Sequence, residues 1–136
     1  MVHEIFSVHD LLKLKKQYPA GSTIAHPECP ANILEHADFI GGTENMIKYV
    51  GEFKDVTDFL VATEANMMWQ MQTKFPRHRF HPVPGIPCAC NKCPHMGLNT
   101  LEKLRDSLAT LSPRVELPVE MMDKARTSIE RMLAVK

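Results

Sequence analysis

The chain has 136 residues, with 16 Lys+Arg balanced by 16 Asp+Glu, and its 44% hydrophobic and 24% charged content suits a globular protein with a buried core. Zero formal net charge gives no basic face for nucleic acid, and no apolar run approaches the roughly 20 residues that would span a bilayer. The opening MVHEIFSVHD has no apolar stretch or cleavage-like site of a secretion signal, so the expected compartment is the cytoplasm.

In chain order, Ser7 with Asp10 three residues later caps a first helix whose Val8, Leu11 and Leu12 share a face. Residues 22–26 predict a strand, and Pro30 suits the first turn of a helix running to about Ala37. The unit then recurs. Residues 38–41 form a short strand, followed by a helix through Met46 and Val50. Residues 57–62 form the clearest strand, and Thr63-Glu64 opens a helix with Met68, Met71 and Phe75 at helical spacing, a core stripe.

Residues 76–94 are rich in Pro, Gly, His and Cys and predict a long functional loop with a strand at 79–83. Asn99 with Glu102 predicts a capping box for a helix through Leu108. A short strand at 115–117 precedes a terminal helix with Met122, Ala125, Ile129 and Met132 on one face. Alternating strands and helices predict the α/β class, as three-layer αβα with short parallel sheets.

Three of the four cysteines, Cys88, Cys90 and Cys93, fall within six positions, which favours metal or redox chemistry in a reducing compartment over a disulfide framework. On spacing alone they suit a stand-alone zinc-binding module, with Cys29 or His95 as a fourth ligand, as well as an iron–sulfur site. In His26-Pro27-Glu28, extended geometry before the proline projects His26 and Glu28 to one side, at a strand's C-terminal end. There the carboxylate is expected to fix the imidazole tautomer and raise its basicity for proton transfer, although a satisfied strand-end histidine has the same signature. Gly41-Gly42-Thr43 offers free N–H groups and a hydroxyl to an anion, or simply a helix N-cap, and Thr63-Glu64 poses the same question. His3, His9, His36, His78 and His81 read as surface or loop residues, the last two near the cysteine loop.

HPECP at 26–30, GGT at 41–43, ATE at 62–64 and NKCPHMGLNTLEKL at 91–104 together resemble quinolinate synthase in order and spacing. The resemblance implies a [4Fe–4S] transferase of de novo NAD biosynthesis that condenses iminosuccinate (iminoaspartate) with dihydroxyacetone phosphate to quinolinate. It implies three similar α/β domains around a cleft, each giving one cysteine to the cluster. Carried over by position, Cys93 matches a cluster ligand, His26 and Glu28 the catalytic and substrate-binding pair, and Thr43 a substrate-anchoring hydroxyl. Cys88 and Cys90 then look like variable neighbours, free to form a redox-sensitive pair, and Cys29 sits where the pattern needs no cysteine. On the same basis, residues 1–55 correspond to the rear of a second domain and 56–136 to the third. A first domain with two further cluster cysteines is expected from outside this sequence, in a complementing N-terminal polypeptide, without which the chain is expected to be inactive.

Overall fold

The computed structural model describes residues 2–85 and 91–135, so the expected roles of Cys88 and Cys90 fall outside the described residues. The chain divides into two compact units, Met1–Leu98 and Asn99–Lys136. In the first, a 3-10 turn at Val2–Ile5 leads into α1 (Val8–Gln17), where Oγ of Ser7 accepts the Asp10 N–H at 3.2 Å as expected of the cap. Then follow β1 (Ser22–Ala25), α2 (Ala31–Leu34), β2 (Phe39–Ile40) and α3 (Thr43–Gly51). β3 (Asp58–Ala62), α4 (Ala65–Lys74) and β4 (Arg79–Pro82) complete the alternation. α2 is shorter than the sequence predicts. Past Leu34 the N–H groups of His36 and Ala37 reach back three residues, so the segment tightens into turns.

All four strands are parallel, in the order β2-β1-β3-β4. Ser22 to Ala25 of β1 pair with Phe59 to Ala62 of β3, so the sheet runs straight across position 55/56, where two domains were expected to meet. The compact units divide at Leu98 instead.

β3 shows how both faces are filled. Phe59 and Val61 join Ile24, Met46, Val50, Met67 and Met71 on one face, while Leu60 and Ala62 join Leu11, Ile33 and Val83 on the other. Successive strand residues point to opposite faces, and a strand covered on both sides reads as a continuous apolar run. The methionine stripe of α4 is core, as expected: Met67 and Met71 are buried and Met68 and Phe75 pack beside them. At burial values near zero, truncating one such side chain to Ala removes about 2–5 kcal/mol.

The second unit holds α5 (Leu101–Thr110) and α6 (Val119–Ala134). Thr100, one residue after the expected Asn99, caps α5 by accepting the Lys103 N–H at 3.3 Å. Residues 115–117 form no strand, since the unit has no other strand among its described residues to pair with. Met122, Ile129 and Met132 lie along α6 as predicted, yet all are exposed.

At the N-terminal end of the sheet, Asp58 accepts two bonds from Arg79, at 2.7 and 2.6 Å, and a third from His81 at 2.8 Å. The Tyr18 ring stacks on His81 at 3.9 Å. His81 thus belongs to a structural clamp on β3 and β4, and His78 is buried, accepting the Thr57 N–H; neither is a surface residue. The bonds from Arg79 first, then His81, hold the Asp58 carboxyl well below its ordinary value of 3.8. A depressed carboxyl pKa stabilises the fold above the unfolded value and loses that contribution as pH falls through the folded one. Asp58→Asn is therefore expected to cost about 1–2 kcal/mol in urea unfolding at neutral pH. The difference from wild type should shrink below about pH 4, and a difference independent of pH would contradict the clamp.

Candidate functional site

The strand order reverses direction between β1 and β3, and open α/β sheets bind ligands at the C-terminal ends of the strands flanking such a point. His26 follows β1 directly and its N–H donates to the Ala62 carbonyl at the end of β3. Thr63 follows β3. Gly41 and Gly42 follow β2, with the Gly41 N–H on the Ala25 carbonyl. A Cβ on Gly41 would lie 2.7 Å from the Phe39 ring, which accounts for glycine at this turn. Gly42 is the N-cap of α3 and Thr43 its first residue, exposed, so the Thr43 hydroxyl is not the cap. The free N–H groups at the start of this nine-residue helix stand at the same sheet end.

His26 and Glu28 do come together, with Nδ1 and Oε2 3.8 Å apart. Their relation differs from the expected one. Nδ1 of His26 accepts the backbone N–H of Glu28 at 3.3 Å, while the Glu28 carboxylate sits 2.9 Å from Nδ1 of His3. Burial first, then the charge of His3, lower the His26 pKa against the opposing pull of Glu28, so the basicity of His26 falls rather than rises. The bond from His3 is the main cause that lowers the Glu28 pKa. The pair thus comprises an ionised carboxylate and a singly protonated imidazole carrying its proton on Nε2.

His3 is the residue that sequence reasoning missed. Its ring stacks on His26 with centroids 4.0 Å apart and planes 10° from parallel, and its Nε2 lies 3.4 Å from the Thr63 hydroxyl. Twenty-three positions separate it from His26, and no local spacing links them. Ligand atoms of His3, His26 and Glu28 all lie within 4.8 Å of one another. Imidazole lone pairs lie in the ring plane, however, so two nearly parallel rings do not converge on one ion.

The two described cysteines differ sharply. Cys29 is buried in the core cluster with Leu11 and Ile33, its thiol donating weakly to the Ala62 carbonyl at 3.5 Å, and burial pushes its pKa up to about 11. Cys93 is half-buried in a loop fixed by Asn91. Asn91 adopts a left-handed conformation (φ 45°) that asparagine tolerates; its carbonyl accepts the Ala65 N–H and its side chain donates to the Val83 carbonyl. Those two bonds place Asn91, two residues before Cys93, just beyond the C-terminal ends of β3 and β4. A cubane cluster takes cysteine thiolates at most of its irons, so Cys93 fits one corner, and the described residues offer no second accessible thiol.

A family model described as quinolinate synthetase A protein matches residues 1–134. A curated quinolinate synthase of Prochlorococcus marinus (strain MIT 9313) is 47% identical over 137 residues, covering 100% of this chain and 41% of the relative. Those of Synechocystis sp. (strain ATCC 27184 / PCC 6803 / Kazusa) and Cyanophora paradoxa are 46% and 44% identical, covering 99% and 98% of this chain. The chain spans 42% and 40% of those two relatives, so about two fifths of the length in each case. No helix among the described residues is long and apolar enough to cross a membrane.

The contrast between the thiols is directly measurable. A thiol with a pKa near 11 carries roughly a hundredth of the ordinary thiolate fraction, and burial slows access further. Iodoacetamide labelling of the folded chain, read by peptide mapping, should modify Cys93 at least about tenfold faster than Cys29. Equal rates would show that the Cys29 site is open.

Proposed function

The chain belongs to the quinolinate synthetase A protein family, and on that premise we propose that it carries part of a quinolinate synthase active site. The reaction condenses iminosuccinate with dihydroxyacetone phosphate and releases water and phosphate, a step of de novo NAD biosynthesis. The observation that carries this reading is the meeting of His26 and Glu28 at the sheet's switch point.

In this reading the ionised Glu28 carboxylate accepts a proton from a substrate carbon or nitrogen. His26 offers its Nε2–H to a substrate oxygen, a donor kept singly protonated by burial. Thr43 and the free N–H groups that open α3 anchor a substrate carboxylate or phosphate. Cys93 holds one corner of a [4Fe–4S] cluster, which when bound supplies an open iron as a Lewis acid toward a substrate oxygen. The remaining ligands come from outside the described residues, and the chain's partner is a polypeptide carrying them.

Anaerobic iron–sulfur reconstitution tests the proposal, with the chain alone and with the part of the Prochlorococcus marinus relative that lies outside the match. Quinolinate is expected only from the combination. Glu28→Gln and His26→Asn should each lower kcat by about 100-fold or more, and Cys93→Ala should lose iron. Robust turnover by the chain alone would remove the need for a partner. Stoichiometric zinc without iron would replace the enzyme reading with a zinc-binding module using Cys88, Cys90 and Cys93.

A further inference from the structure

Thr63 and His3 have no role in the reading above, yet both stand at the same sheet end as Glu28. Thr63 is 3% exposed and caps nothing: the N-cap of α4 is Glu64, whose carboxylate accepts the Asn66 N–H at 2.7 Å. An anion-binding or capping role for Thr63 therefore finds no support.

A carboxylate only accepts hydrogen bonds, so the ring nitrogen 2.9 Å from Glu28 Oε2 must carry a proton. A singly protonated ring with its proton on Nδ1 has Nε2 as an acceptor, and the Thr63 hydroxyl 3.4 Å away is the donor in reach among the described residues. Donation to Nε2 also satisfies a buried hydroxyl proton that would otherwise stay unpaired. We propose that Thr63 and His3 are positioning residues: the Thr63 hydroxyl fixes His3 as the Nδ1–H tautomer, and that N–H fixes the Glu28 carboxylate beside His26. The inference rests on the reading of Glu28 as the proton-transfer group.

The arrangement has a specific signature. His26 accepts on Nδ1 from the Glu28 backbone and so carries its proton on Nε2. Two rings stacked 4.0 Å apart are thus in opposite tautomers. Each is set by a different partner. The depressed pKa of Glu28, caused first by the bond from His3, agrees with this order of partners.

Long-range proton–nitrogen correlation spectra of the full chain, at about pH 8 where free imidazole is uncharged, read the tautomers directly. His3→Asn and His26→Asn assign the two rings. The expected result is Nδ1–H for His3 and Nε2–H for His26. Thr63→Val should move the His3 pattern away from pure Nδ1–H, and Thr63→Ser should restore it. An Nε2–H pattern for His3 in the unmodified chain overturns the proposal even if Thr63→Val fails to fold, and so does a pattern that Thr63→Val leaves unmoved. In the complemented enzyme, Thr63→Val is expected to lower kcat by about tenfold with KM little changed. An unchanged kcat overturns the positioning role. Absence of quinolinate turnover by the unmodified enzyme refutes the functional reading instead, and leaves the tautomer result standing.

Discussion

The pairing of β1 with β3 is the constraint on which the rest of the first unit depends. The chain passes from β1 through α2 to β2 at the sheet edge and returns through α3 to β3, with α1 and α2 covering one face and α3 and α4 the other, and the crevice opens where the two directions part. Because the pairing runs through Ala25 and Ala62, the residues that follow each strand emerge side by side. His26 and Thr63 are those residues. The bond from the His26 N–H to the Ala62 carbonyl extends the ladder one step into the site, so the site residues inherit the rigidity of the sheet.

Opposite ends of the same strands serve different ends. At the start of β3 and β4, Asp58, Arg79 and His81 saturate one another and Tyr18 covers the histidine, which leaves the group little capacity for a ligand. At the C-terminal ends the groups are only partly satisfied: Glu28 has one oxygen on His3 and is 61% exposed, and Nε2 of His26 faces no partner among the described hydrogen bonds. Polar groups held in place with capacity to spare are what a binding site requires. The same contrast separates the cysteines, since Cys29 fills a core position and Cys93 occupies a loop pinned by Asn91.

Local pattern made much of the fold legible. Ser7 caps where its spacing to Asp10 predicts, the apolar run of β3 is covered on both faces, and the expected stripe of Met68, Met71 and Phe75 packs on the core, with Met71 fully buried and Met67 buried beside it. These depend on neighbours within one helix turn or one strand, where sequence distance and spatial distance agree. The same locality explains the misplaced elements. α2 ends early because Lys15, from another helix, donates to the His36 carbonyl while the chain tightens, and residues 115–117 have strand-like residues but no strand to pair with.

Sequence by itself determined the α/β class, the four blocks that resemble one family, and the nearness of His26 to Glu28, although a turn through Pro27 and Glu28, with the Cys29 N–H on the His26 carbonyl, brings them together in place of the extended chain expected. Tertiary structure alone decided which group Glu28 binds. His3 reaches it from 25 positions away, and Thr63 reaches His3 from 60, distances at which sequence spacing carries no information about contact. That is why His26, assigned by its neighbour in sequence to be the stronger base, is held as the weaker one: the partner of the carboxylate was set by the fold of the sheet.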